Sequence, residues 1–421
     1  MKRRSVLGGG LGLVGAAAGG ALLWRPDDLG SPHSEYFARL NELLKRDGPG
    51  HPVMVIDIDR MNHNVDVVAR SVGVKKTYRV VVKSLPSVPL LRGVMERART
   101  DSLMVFHQPF LNEIAENFPQ ADVLLGKPMP ISAAKSFYKK LGNTPFDPAG
   151  KIQWLIDTQQ RLEQYLSLAR ELGVHMRINV EIDVGLHRGG LAKIEALDKL
   201  LKTIKENSDY LAFSGFMGYE PQLTGLRASL DHPAVRKVLE TYRNFIDRAK
   251  STGIDPDQLT LNGAGSHTLA IYEKDATMND LAAGSAIVKP TDFDTFHLTD
   301  NQPALFIATP VLKAYGKFQL PGESWVARSI RSWDPNYRHL YYIYGGYWKA
   351  RFVSPAGIPE SMYSSTNQQP ITTSERVDLA VDDYVFLRPT QSELVMLQFG
   401  DLLVMKDGEL IDTWPVFHQT G

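Results

Sequence analysis

The sequence contains no cysteine. That excludes disulfides, thiolate metal sites, a cysteine nucleophile and a lipid-modified N-terminal cysteine. It also suits an oxidising compartment, where a stray thiol is a liability. Neither sign of charge is in excess: Lys+Arg and Asp+Glu both number 47, for a formal net charge of +0. Nothing therefore points to a nucleic-acid partner held by bulk charge. No G-x-G-x-x-G follows an early strand, which weakens a dinucleotide-binding reading. What is present is an ordinary globular composition, 43% hydrophobic over 421 residues. That leaves room for two or three domains, or one large barrel with a smaller domain.

The chain opens with Met1-Lys2-Arg3-Arg4-Ser5-Val6-Leu7 and a glycine- and alanine-rich apolar run to Leu23 and Trp24. A basic start followed by an apolar stretch is a targeting signal, and the arginine pair resembles a twin-arginine export signal. Residues 1–26 are therefore expected to direct a folded, cofactor-loaded protein through the twin-arginine export machinery to the periplasm. A retained membrane anchor is the alternative.

From residue 50 to about 300, apolar strand-like runs alternate with helical patterns. The strands are expected at Pro52–Asp57, up to Lys83, at Ser102–Phe106, Asp122–Leu125, Ile152–Ile156, His175–Ile182, Leu211–Met217, Gln258–Leu261 and Ser285–Val288. Such repeats imply parallel strands, and about eight of them point to a (β/α)8 TIM-type barrel; a doubly wound open sheet is the runner-up. After Pro303 the spacing changes to short strands, Trp325–Ile330 and Leu394–Phe399 among them. The expectation is an antiparallel β domain over 301–421, with residues 30–49 packing on it. The aromatic stretch Tyr337 to Trp348 reads first as core packing and second as a pocket wall.

In a barrel, function sits at the C-terminal ends of the strands. Those ends carry Lys83, Phe106-His107-Gln108, Gly126-Lys127-Pro128, Asp183 to Arg188, Gly218-Tyr219-Glu220 and Asn262 to Thr268. Lys83 closes the β-branched run Tyr78-Arg79-Val80-Val81-Val82. A lysine there is costly unless paired or neutral, and a neutral lysine can form a Schiff base with a carbonyl. The bland alternative is a lysine emerging into solvent. The glycine-rich turn at 263–268 could cradle a phosphate or simply be a tight connection. His107, His187 and His267 are candidate bases, or hydrogen-bonded structural histidines.

Together these stretches resemble the alanine-racemase-like (fold type III) superfamily of pyridoxal phosphate enzymes, within it the D-threonine aldolase and D-serine dehydratase branch. The stretches are His51 to Asp59 with Asn64, Tyr78 to Lys83, Glu181-Ile182-Asp183-Val184-Gly185-Leu186-His187-Arg188-Gly189-Gly190, Gly218-Tyr219-Glu220, Gly263 to Thr268, Gly284-Ser285 and Gly408 to Val416. The resemblance implies a barrel over 50–300, a C-terminal β domain and a homodimer. It implies that Lys83 holds pyridoxal phosphate covalently and moves protons at the substrate's Cα. Arg188 would contact the cofactor's phenolic oxygen and Tyr219 would lie near the ring. Gly263, Gly265, Ser266, His267 and Thr268 would bind its phosphate. Two departures stand out. Both histidines that usually neighbour the lysine are missing, and the usual metal ligands are replaced by Gln391 and Glu393. The divalent metal is therefore expected to be absent, with Glu393 or His187 as catalytic base. The expected function is a lyase, aldolase or dehydratase, acting on D-3-hydroxy amino acids. The alternatives are a racemase or epimerase, or a cofactor-binding protein with little turnover.

Overall fold

The computed structural model describes residues 25–322 and 324–418. The arginine pair and its apolar run lie outside the described residues. Among the described residues, no helix is long and apolar enough to cross a membrane. The described residues divide into two compact units, one of residues 54–305, 389–407 and 411–418, the other of residues 25–53, 306–322, 324–388 and 408–410.

The larger unit is a closed barrel. Strand β1, Val53–Asp57, precedes it and pairs in parallel with Leu402–Lys406, outside the barrel wall. The wall runs β2 (Thr77–Val81), β3 (Ser102–Val105), β4 (Asp122–Leu125), β5 (Ile152–Ile156), β6 (Met176–Glu181), β7 (Leu211–Met217), β8 (Thr260–Gly263) and β9 (Asp280–Ala283), and closes from β9 back to β2. All neighbours are parallel, including the closing pair Tyr78↔Leu281 and Val80↔Ala283. Helices between the strands follow local signals. Asp57 accepts from Arg60 N to start the helix Ile58–Val72. Thr158 accepts from Arg161 N to start Gln159–Leu172, and Gly173 in the left-handed region ends it.

The barrel interior is not purely apolar. Arg79 is 1% exposed, and its guanidinium bonds both carboxylate oxygens of Asp280, the Asp122 carboxylate and the carbonyls of Leu103 and Asp122. Asp122 is shared with Arg177 and Gln153. Burial alone would push the Arg79 pKa down, but Asp280 and Asp122 hold it up, so the guanidinium stays charged. This layer joins β2, β4, β6 and β9 below the mouth of the barrel.

The smaller unit carries β10 (Leu305–Lys317), β11 (His339–Tyr344), β12 (Ala350–Ser354), β13 (Gln368–Thr373) and β14 (Tyr384–Pro389), with β10–β11, β11–β13 and β10–β14 antiparallel. Its core gathers Val311, Tyr341, Ile343, Ile371 and Val385, with Trp348 packed against it. Tyr344 and Tyr347 are exposed.

Several expected elements differ. The last barrel strand is Asp280–Ala283, and the expected strand at 285–288 is instead a single 3-10 turn over Ser285–Ile287. Trp325–Ile330 lies within a helix, Ser324–Trp333, whose Ala327 and Ile330 meet Phe318 and Leu340 at helical spacing. Leu394–Phe399 is likewise not a strand, because Glu393–Gln398 is a short helix that buries Val395 and Met396. Residues 389–407 belong to the barrel unit rather than to the β unit.

Candidate active site

The site is built from the strand ends. Strand β2 stops at Val81, and Val82–Ser84 form a 3-10 turn with Val82 and Ser84 buried. Lys83, between them, projects into the barrel mouth, where a cavity of about 570 Å3 opens. Its Nζ lies 2.7 Å from Glu393 Oε1 and 4.9 Å from the centroid of the Phe106 ring. The same turn positions both partners. Ser392, fully buried, donates to the Ser84 carbonyl at 3.0 Å and so delivers Glu393, the first residue of its helix. The two side chains are 39% and 28% exposed, so the pair contributes at most about 1 kcal/mol to stability. Its consequence is placement: a carboxylate within one hydrogen bond of the lysine amine.

Beside this pair lies a small polar cradle. Ser266 Oγ accepts from Gly284 N at 3.3 Å and Ala286 N at 3.0 Å, so two backbone N–H groups converge on one oxygen. Ser285 Oγ donates to Ser84 Oγ at 3.1 Å, tying the cradle to the lysine turn. Close approach explains two glycines. A Cβ on Gly265 would meet the Tyr219 ring at 2.6 Å, and one on Gly284 would meet Val81 at 2.8 Å. Thr268 stands behind the turn, accepting from Gly265 N at 3.1 Å and donating to Glu220 Oε1 at 2.6 Å. Gly263 is buried against Met278 and Tyr242 and does not line the cavity. His267 stacks on Phe293 at 4.2 Å, and burial pushes its pKa down. The cavity therefore meets Phe293, with the histidine behind it.

The opposite wall is charged. Arg188 lies 5.4 Å from the Tyr219 ring centroid. Glu181, at the end of β6, has its pKa raised by burial and by Asp157, against the pull of Arg188. Burial also raises the Tyr219 pKa. His187 is not brought to this wall. Its backbone is in the left-handed region (φ 57°), its side chain is 82% exposed, and its Nδ1 pairs with Asp183 Oδ2 at 2.7 Å. His107 is exposed too, and packs edge-on against Phe110.

The sequence named Glu181 only within its motif, with no role, and passed over Asp157, although both stand at strand ends in the cavity lining. Each was discoverable by the strand-end rule that found Lys83. Glu393 was found by position, but its contact with Lys83 had no sequence signal.

At the place of the family's expected metal ligands, Gln391 Nε2 donates to Asp292 Oδ2 at 3.4 Å and Glu393 is engaged by Lys83. Among the described residues no group of three His, Cys, Asp or Glu side chains could hold a metal ion.

The alanine racemase N-terminal domain model matches residues 56–291, more than half of the chain. The chain belongs to the alanine racemase N-terminal domain family. It is thereby a member of the fold type III pyridoxal phosphate superfamily that its motifs resemble. A 3-hydroxy-D-aspartate aldolase of Paracoccus denitrificans is 24% identical over 167 residues; that match covers 37% of this chain and 42% of the relative's length. Among solved structures, D-threonine aldolase from Filomicrobium marinum is similar with a TM-score of 0.70 and 13% identity, covering 88% of this chain and 98% of its own. D-threo-3-hydroxyaspartate dehydratase from Delftia sp. HT23 gives 0.67 at 13% identity over 87% and 97%. Alanine racemase of Clostridium difficile 630 gives 0.65 at 14% identity over 86% and 97%. At these identities the structural likeness shows the fold.

The alanine racemase family's cofactor fits the residues present. The cavity has room for it, Lys83 supplies an amine inside the mouth, and the N–H groups of Gly284 and Ala286 converge where an anion's oxygen can replace Ser266 Oγ.

Proposed function

We propose that the chain is a pyridoxal phosphate-dependent lyase acting on D-3-hydroxy amino acids. The observation that carries this reading is the 2.7 Å contact between Lys83 Nζ and Glu393 Oε1 at the edge of the cradle. Lys83 would hold the cofactor covalently, the cradle of Ser266, Gly284 and Ala286 its phosphate, and Arg188 and Tyr219 its ring. When bound, pyridoxal phosphate supplies the electron sink that weakens the bonds at the substrate's Cα.

The protein's own groups then handle the protons. Glu393 Oε1 accepts the proton of the substrate's β-hydroxyl as the Cα–Cβ bond breaks and an aldehyde leaves. Lys83 Nζ returns a proton to Cα, giving glycine. In dehydration, the same two groups would remove the Cα proton and protonate the departing hydroxide. The steps are assigned to these two side chains because Gln391, an amide engaged with Asp292, offers no basic donor beside them. Phe106, with its ring centroid 4.9 Å from Lys83 Nζ, gives the pair one apolar side. The reading extends to a homodimer and to export through the twin-arginine machinery to the periplasm.

A second reading, an amino-acid racemase or epimerase, is favoured by Glu181. It stands across the barrel from Lys83, since β2 and β6 are four strands apart in the closed wall, and burial raises its pKa. That is the placement a second proton carrier needs. One experiment separates the two. Incubate the cofactor-loaded protein with D-threonine and with D-3-hydroxyaspartate, and follow products by chromatography on a chiral phase. Aldehyde plus glycine, or keto acid plus ammonia, supports the lyase. A change of enantiomer at constant mass overturns it in favour of the racemase.

A further inference from the structure

Glu220 follows Tyr219 at the end of β7 and is 0% exposed. It takes part in no ion pair among the described residues. The donors around it are neutral: the Thr268 hydroxyl at 2.6 Å, the backbone N–H groups of Ala264 and of Glu220 itself, and the Tyr272 hydroxyl. Its second oxygen, Oε2, is buried without a hydrogen-bond partner. The titratable side chains facing it are tyrosines: Tyr219 from its own strand end, Tyr242 from the helix Pro233–Ser251 and Tyr272 from the turn Leu269–Tyr272. Burial raises the pKa of all three, so none carries charge near neutral pH and none supplies a cation.

This carboxyl organises the turn that carries Ser266, one member of the cradle that the proposed function assigns to the cofactor's phosphate. Thr268 Oγ1 links it to Gly265 N, and Ala264, held in the left-handed region at φ 67°, donates its N–H to it. A left-handed alanine is strained and persists only where its surroundings hold it. An anion at Ser266 therefore rests beside Gly265, which Thr268 links to a buried carboxyl that has no cation to neutralise it. Two negative charges so placed in a poorly solvated interior repel each other, and the favoured state has one of them protonated.

We propose that Glu220 is a proton-linked positioning residue: it takes up a proton from solvent when a phosphate anion settles in the cradle of Ser266, Gly284 and Ala286, and releases it when the anion leaves. The inference rests on the phosphate reading of that cradle. Burial already pushes the Glu220 pKa up to about 7, so the linkage falls in the physiological range. The sign follows. Below pH 7 the carboxyl is already protonated and the anion binds without hindrance; as pH rises through 7, binding must draw in a proton and weakens.

The test uses pyridoxine 5′-phosphate, which carries the phosphate but no aldehyde, titrated into cofactor-free protein from pH 6.5 to 8.5. Phosphate-free pyridoxine is the control. Affinity of the wild type is expected to fall by about tenfold between pH 7 and 8.5 beyond any change in Glu220→Gln, as expected for one linked proton. Calorimetry of the wild type at pH 8 in two buffers of different ionisation enthalpy should show uptake of a sizeable fraction of one proton. This arm decides the matter even if Glu220→Gln fails to fold. Equal pH slopes in wild type and variant, or no proton uptake by the wild type, overturn the inference and leave the phosphate reading standing. Failure of the phosphate compound to bind better than pyridoxine at any pH overturns both.

Discussion

Replacing Glu393 with glutamine probes the assigned proton path without emptying the site. The amide keeps the size of the carboxylate and can still accept a hydrogen bond from Lys83 Nζ, now 2.7 Å away. The helix Glu393–Gln398 is held by Ser392 on the Ser84 carbonyl and by buried Val395 and Met396, none of which the change touches. With side chains 39% and 28% exposed, losing the charge pair should cost less than about 1 kcal/mol of stability. What is lost is basicity. A positioned base contributes about two to four orders of magnitude to rate, and the cleavage rate should fall by that amount. The assay is aldehyde release from D-threonine under saturating substrate, run beside thermal unfolding and the cofactor's visible absorbance. The expected result is an unchanged melting temperature, an unchanged absorbance band and a collapsed rate. Chelator should leave wild-type activity intact. A variant within about tenfold of wild type, or wild-type activity that dies with chelator and returns with manganese, refutes the reasoning.

Other outcomes follow from the same geometry. Arg79→Met removes the cation shared by two carboxylates and leaves Asp280, 3% exposed, uncompensated; denaturant unfolding should show a loss of about 3–5 kcal/mol. Because Arg79 and Arg177 hold the Asp122 pKa down against burial, that part of the wild-type stability is present above the ordinary aspartate range and is lost as pH falls through the lowered value. The variant's unfolding curve should accordingly depend less on acid. Gly265→Ala pushes a Cβ to 2.6 Å from the Tyr219 ring; displacing that ring should weaken cofactor binding by about 1–3 kcal/mol, measured by dialysis, with little change in unfolding. Replacing Arg3 and Arg4 with lysine should hold the protein in the cytoplasm on cell fractionation; unchanged periplasmic recovery refutes the twin-arginine reading.

Much of the barrel unit was legible because its strands are short β-branched or leucine-rich runs separated by amphipathic helices. The reading failed where that signal is weak. Asp280-Leu281-Ala282-Ala283 has little β propensity and becomes a strand through its register with Tyr78 and Val80. Glu393–Gln398 is a short apolar run, for which helix and strand periods cannot be told apart, and Ser324–Trp333 shows its helical period only when the whole segment through Trp333 is taken. In the site, position singled out Lys83 and the 263–268 turn but left open a lysine in solvent and a plain tight turn; the cavity is lined by Lys83, Gly265 and Ser266 and not by Gly263, His267 or Thr268. His187 could not be excluded, because only the left-handed backbone at φ 57° turns it to solvent. The Glu393 contact, the Glu220–Thr268 link and the Asp157–Glu181 pair join residues far apart in sequence and depend on barrel closure.

The central claim is that Lys83 carries the cofactor in the barrel mouth, and borohydride labelling tests it most directly. The purified protein, loaded with pyridoxal phosphate, should show a visible absorbance band that borohydride abolishes. Peptide mapping should then find the reduced cofactor on Lys83, and Lys83→Ala should take up no label and show no turnover. A label on Lys127 or another lysine, or no covalent label after full loading, would contradict the account.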